Sequence, residues 1–285
     1  MQFTKANPPE KFRQYVASFS GCTGGNPDSP IWCCGLEHGG GWEGEPIPES
    51  YFVPKSLDDF DGEHFWDDFW YSSSPFCQAI PKILLILKYG YLLPYRWDAE
   101  WMREHHIAGR NGLAMVFNAC PISFKDRSSA WWHFNNYQVI FNDGSITPFK
   151  NWTQLSSFWL YEQWSIEQRK LVFQKVRQEK APKLIINFGV NNLNQFFTLW
   201  GATFDNCEII KDPLIGDGKK CSDGYLSIVK NDGKNDTIVC VLQFPSHQSG
   251  FSTEAFKRYI PLIRQRCIDH FGEDWLAPVL LTKAV

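Results

Sequence analysis

The sequence predicts an α/β fold, a three-layer α/β/α sandwich with a central, mostly parallel sheet, and three observations carry that prediction. Short, mostly apolar runs recur at residues 31–34, 112–118 and 184–188. Such continuous runs suit strands buried on both faces, and helical stretches lie between them, as crossovers between parallel strands require. The chain has 285 residues of which 44% are hydrophobic, enough for a large core, and it reads as a single domain over residues 1–285.

In chain order, residues 31–34 form the first buried strand, and the glycines that follow at 39 to 41 free the backbone to approach a ligand closely. Residues 42–74, rich in Pro, acids and aromatic rings, read as an insertion bearing functional loops. A core helix is expected over 80–88, entered through Pro81 in its first turn and stopped near Gly90. Residues 112–118 form the second strand, ended by Pro121. The stretch 137–141, followed by Asn142, Asp143 and Gly144, suggests a small hairpin outside the main sheet. Ser165 with Gln168 matches a capping box and opens an amphipathic, basic helix to about Lys180. Pro182 leads into the third strand at 184–188, closed by Gly189, and Asn192 caps the next helix. Residues 225–229 and 237–244 flank Asn231, Asp232 and Gly233 and pair as a longer hairpin. The last helix spans 253–270 and carries Lys257, Arg258, Arg264 and Arg266.

A formal net charge of −3 argues against nonspecific coating of nucleic acid, which depends on many Lys and Arg contacts to phosphate, and leaves site-specific binding through a local basic patch open. Nine cysteines without a CxxC spacing indicate neither a disulfide framework nor a zinc ribbon; several fall inside apolar runs, where buried free thiols are ordinary. No apolar leader or membrane-length run is present, so a cytoplasmic protein without membrane attachment is expected. Thirteen Trp and 16% aromatic residues fit a well-filled core first and a base-stacking surface second.

Two loops concentrate the chemistry. The first strand runs into Gly35-Leu36-Glu37-His38-Gly39, and the hairpin's second strand runs into Phe244-Pro245-Ser246-His247-Gln248-Ser249. Parallel strands of an open α/β sheet bring such loops to one rim, where these sheets bind ligands. Asn118 ends a third run at the same rim. A carboxylate beside glycines, a Pro-Ser-His turn and an amide at a strand end together resemble the active-site motifs of the uracil-DNA glycosylase superfamily.

The resemblance covers about residues 30 to 270 and implies the same sandwich fold. It implies that Glu37, at the position of the family's Asp or Asn, orients the hydrolytic water and stabilises the oxocarbenium-like sugar; on its own residues, a solvated or helix-capping glutamate is an equal reading. His38 and Gly39 replace the Pro and Tyr of the uracil-specific branch. A glycine there removes the steric gate at C5 of the pyrimidine and admits a 5-substituent; a merely flexible turn is the plainer alternative. His38 is a candidate base-facing donor or a solvated loop histidine. Asn118 matches the residue that reads the Watson–Crick edge of the flipped base, donating to one atom and accepting from another, and also suits capping of the turn before Pro121. Tyr51 and Phe52 stand where the family's stacking ring is expected, in a stretch where core packing explains many rings.

Phe244 replaces the family histidine that stabilises charge on the pyrimidine O2, with His247 the candidate to supply that donor. Pro245, Ser246 and Ser249 belong to the loop that grips the DNA backbone, and Gln248 holds the place of the wedge that fills the vacated stack. Flipping costs a few kcal/mol, which such contacts offset. No four-cysteine cluster spacing or Walker lysine is present, so no metal and no cofactor are expected.

The implied activity is a monofunctional DNA glycosylase acting on a bulky 5-substituted pyrimidine, such as the glucosylated 5-hydroxymethylcytosine of phage DNA. Its partner would be double-stranded DNA carrying the modified base, engaged by a monomer. The competing readings are repair of uracil or mismatched thymine, and a catalytically idle nucleic-acid-binding relative.

Overall fold

The computed structural model describes residues 6–36, 45–59, 75–92, 112–124, 130–213, 221–245 and 253–276. Its strands are β1 (Gly24–Gly25), β2 (Ile31–Gly35), β3 (Ile47–Pro48), β4 (Met115–Asn118), β5 (Gln138–Ile140), β6 (Ile146–Pro148), β7 (Leu184–Phe188), β8 (Glu208–Ile210), β9 (Gly224–Val229) and β10 (Thr237–Leu242). Its helices are α1 (Glu10–Val16), α2 (Pro75–Tyr89), α3 (Ala130–Asn136), α4 (Phe149–Thr153), α5 (Phe158–Lys180), α6 (Leu193–Trp200) and α7 (Thr253–Phe271).

The central sheet has seven strands in the order β1-β4-β2-β7-β10-β9-β8. The four in the middle, β4, β2, β7 and β10, are mutually parallel, while β1, β9 and β8 add antiparallel edges. The parallel strands are the apolar runs of the sequence, and period-two alternation sends their side chains into two cores. Ile31 and Cys33 of β2 face one core with Val116, Ile186 and Cys240, covered by α2 and α7 through Ile83, Leu87, Ile260 and Ile263. Trp32 and Cys34 face the other with Phe117, Ile185 and Val239, covered by α5 and α6 through Phe173, Phe196 and Trp200. Helices on both faces of a mixed, mostly parallel sheet define an α/β protein, in an arrangement consistent with a three-layer sandwich.

The hairpin at 138–148 lies outside this sheet, as its sequence suggested, and β3 joins it in a sheet of three strands, β3-β5-β6. Gly144 takes φ +82° in its turn, and Asp143 accepts hydrogen bonds from Ser145 N (2.9 Å) and Oγ (2.7 Å). Of the 42–74 insertion, residues 45–59 are described; Ile47 and Phe52 are buried in the second core, so this part packs onto the domain.

Two helices start earlier than their sequence signals. α2 begins at Pro75, and Pro81 sits inside it rather than in the first turn. Gly90 at φ +83° does end it. α5 begins at Phe158, where Ser157 accepts from Leu160 N at 3.2 Å; Ser165 lies two turns inside the helix and is fully buried. The aromatic first turn masks the true start, because Phe158 and Tyr161 are held by edge contacts with Phe124 rather than by helical propensity. Asn192 stands at the N-cap of α6 but makes no side-chain capping bond. Among the described residues no helix is long and apolar enough to cross a membrane.

Candidate functional site

Because β2, β4, β7 and β10 run in parallel, the loops leaving their C-terminal ends open on one rim. The chain passes from β2 to β4 on one side and later to β7 on the other, so the order reverses between β2 and β7. That reversal is where open α/β sheets leave a crevice for a ligand. Backbone bonds hold its two banks. Ala119 N donates to Gly35 O (2.9 Å) and Cys120 N to Leu36 O (2.6 Å), while Gly189 N donates to Leu242 O (2.7 Å). Gly189, at φ +133°, makes the turn into α6, whose N-terminus adds partial positive charge to this rim.

Asn118 ends β4 opposite Gly35 in the register and is 1% exposed. Its Nδ2 donates to Gly21 O at 2.8 Å and reaches Thr23 Oγ1 at 3.4 Å. Gly21 takes φ +74° and is packed against the backbone of Pro121. Segment 51–55 reaches the same corner: Phe19 N donates to Lys55 O (3.0 Å) and Ser20 Oγ to Val53 O (2.8 Å). Tyr51 is half-buried, with its ring 5.7 Å from Tyr15. Phe52 is fully buried, ringed by Phe12, Tyr15, Phe149 and Trp152, which makes it a core residue as the structure stands. The fully buried Trp32, Trp200, Phe117, Phe124 and Phe134 likewise belong to packing.

Beyond β10, Pro245 is buried and Phe244 is 43% exposed. The Phe244 ring lies parallel to Phe76 at 6.5 Å, and Phe76 meets Phe188, the last residue of β7, edge-on at 5.3 Å. An apolar aromatic shelf therefore spans the β7–β10 bank and the start of α2. The sequence reading singled out Phe244 only as a departure from the family pattern and missed Phe76; the signal for both was an aromatic residue within two positions of a strand or helix end.

Also missed was Asn187, a polar residue inside an apolar run. It is fully buried between β2 and β10, donates to Cys240 O (2.9 Å) and accepts from Trp200 Nε1 (2.7 Å), so it ties sheet to helix. The basic residues of α7 are committed within the fold. Arg258 forms a two-pronged pair with Asp212 (2.9 and 3.0 Å), Lys257 meets Glu254, Arg264 donates to Leu87 O and Arg266 meets Glu208. Half-buried Lys82 donates to Thr253 Oγ1 at 3.2 Å, and burial lowers its pKa from the ordinary 10.5.

Glu37, His38 and Gly39 follow directly on Leu36, and Ser246, His247, Gln248 and Ser249 directly on Pro245; all seven lie outside the described residues. The described residues that precede them, Leu36 and Pro245, follow strands whose C-terminal ends share a rim with Asn118. Among the described residues no group of three or more His, Cys, Asp or Glu is arranged to hold a metal ion. The fold defines an α/β protein whose parallel strands end at one rim, with the strand order reversing between β2 and β7. Comparison with protein-family models, curated proteins and solved structures gives no match.

Proposed function

We propose that this protein is a DNA glycosylase that hydrolyses the N-glycosidic bond of a flipped-out modified pyrimidine and leaves an abasic site. The observation that carries the reading is topological. Four parallel strands in the order β4-β2-β7-β10 deliver the segments leading to Glu37, Asn118 and the Pro245–Ser246 turn to one rim. These are the three motifs that resemble the uracil-DNA glycosylase superfamily.

In this reading the carboxylate of Glu37 orients water and balances the positive charge that develops on the sugar as the bond to the base breaks. Asn118 meets the base edge. Pro245, Ser246 and Ser249 hold the backbone, and Gln248 fills the gap in the stack. The exposed Phe244 ring suits a planar or apolar ligand surface, while it offers no hydrogen bond to a departing base; His247 is the residue proposed to do so. Glycines at 39 to 41 of the sequence carry no side chain to block a 5-substituent, which favours a bulky base such as glucosylated 5-hydroxymethylcytosine in phage DNA. The phenyl side chain of Phe244 also favours a second reading, a catalytically idle relative that binds flipped or abasic DNA.

The test is abasic-site formation, read as strand breakage after alkali, on matched duplexes carrying uracil, mismatched thymine, 5-hydroxymethylcytosine or its glucosylated form. Breakage at the enlarged bases, lost in Glu37→Ala, is the expected result. Breakage at uracil or mismatched thymine alone identifies a repair enzyme, and binding without breakage on every duplex identifies the idle relative.

A further inference from the structure

Arg169 lies on the inward face of α5 with no exposed surface. Its Nη2 donates to Ser20 O at 3.1 Å and reaches Cys22 Sγ at 3.3 Å, and the guanidinium carbon sits 4.7 Å from the Phe173 ring. Nε and Nη1 are buried and have no hydrogen-bond partner among the described residues. Burying a charge this way is unfavourable, and an apolar side chain of similar volume is often accommodated at least as well. Stability alone therefore gives no reason for an arginine here.

What the guanidinium holds is the turn at 20–22, and that turn holds Asn118. Gly21 O and Thr23 Oγ1 take the Asn118 Nδ2 at 2.8 and 3.4 Å, and Cys22 Sγ lies 3.8 Å from the Asn118 main-chain oxygen. A carbonyl oxygen can only accept, so the nitrogen end of the amide must face Gly21. Among the described residues no donor reaches Asn118 Oδ1. The turn has little room to shift, since Gly21 lies against the Pro121 backbone.

We propose that Arg169 is a positioning residue that fixes the 20–22 turn and thereby locks the Asn118 amide with both N–H groups committed, so that it offers a ligand its carbonyl oxygen alone. This rests on the reading that Asn118 faces the base. The base it selects then presents a donor at that point, as the exocyclic amino group of a cytosine does, and an edge made only of acceptors is rejected because it meets a second acceptor.

The test is hydrogen exchange of the Asn118 side-chain amide by NMR, its signals identified by their loss in Asn118→Ala, in the full chain and in Arg169→Met. The expected result is two protected N–H protons in the parent and exchange at the rate of an exposed amide in Arg169→Met, with the melting temperature held or raised. Unchanged protection overturns the proposal. Should Arg169→Met fail to fold, Arg169→Lys takes its place: a single ammonium cannot reproduce the guanidinium fork, so protection falls in part, and full protection overturns it.

On duplex DNA carrying glucosylated 5-hydroxymethylcytosine, kcat/KM is expected to fall about 100-fold in Arg169→Met. The double variant with Asn118→Ala should be no slower than Asn118→Ala alone; additive losses overturn the proposal. If the parent excises no base from any duplex, the glycosylase reading fails, and the exchange measurement still decides what Arg169 does.

Discussion

Replacing Gly21 by alanine probes the corner that holds Asn118. Two effects oppose the new methyl group. Gly21 has φ +74°, a conformation that costs an L residue roughly 1–2 kcal/mol. The added Cβ would also stand 2.4 Å from Pro121 O and 2.6 Å from Pro121 Cα, and because these are backbone atoms no side-chain rotation relieves the clash. Overpacking of this kind costs about 1–3 kcal/mol, so the total is about 2–5 kcal/mol. At roughly 2–4 °C per kcal/mol for a chain of this size, the melting temperature should fall by roughly 4–20 °C. Gly144 and Gly233 supply the controls: they have φ +82° and +68°, with nothing within 4 Å of an added Cβ. Alanine at either measures the conformational cost alone. Paired denaturant titrations of the three variants therefore isolate the steric part, and a Gly21→Ala loss no larger than that of Gly144→Ala would refute the packing argument.

Trp200→Phe keeps most of the buried ring but removes the Nε1 donor to Asn187 Oδ1, leaving a buried acceptor unmet; a loss of about 1–3 kcal/mol in denaturant titration is expected, and Asn187→Leu combined with it should recover part of that loss. In the native protein Cys207 should be the first thiol labelled by an aromatic disulfide reagent, since it is partly exposed while the other cysteines are buried; desolvation raises its pKa too, but burial lifts Cys33 to about 12, and rapid labelling of several thiols would contradict this packing. The Asp236 carboxyl is held below its ordinary 3.8, first by the hydrogen bond from Lys230 and then, against some desolvation, by His270. Its contribution to stability is therefore full above that ordinary value and disappears as pH falls through the lowered one. The stability difference between the parent and Lys230→Ala should shrink between about pH 6 and pH 2, and a difference constant over that range would show the pair to be inert.

Much of the scaffold was legible because it rests on local pattern. The runs at 31–34, 112–118 and 184–188 are apolar enough to be read as buried strands, and Asn231-Asp-Gly233 marks the hairpin of 225–229 with 237–244 by turn chemistry; the strands found are Ile31–Gly35, Met115–Asn118, Leu184–Phe188, Gly224–Val229 and Thr237–Leu242. Helix ends set by tertiary contacts were not legible. The aromatic first turn of α5 looks unlike a helix until Phe124 is beside it, and Pro75 starts α2 six residues before the proline that drew attention. Phe52 shows the same limit: its sequence neighbourhood permits a stacking ring or a core ring, and only the rings of Phe12, Phe149 and Trp152 around it distinguish them.

The sequence by itself determined the kind of layers this protein has, because hydrophobic period and turn residues act over a few positions. It also determined which residue types end the strands, and hence which chemistry is available there. Only the tertiary structure decided that Gly35, Asn118 and Phe244 share a rim, that Phe76 and Phe188 support Phe244, and that Asn118 leans on a turn held by Arg169, more than 50 residues further along the chain. Strand order and the partners of a buried polar group depend on contacts between distant segments, and no local pattern encodes them.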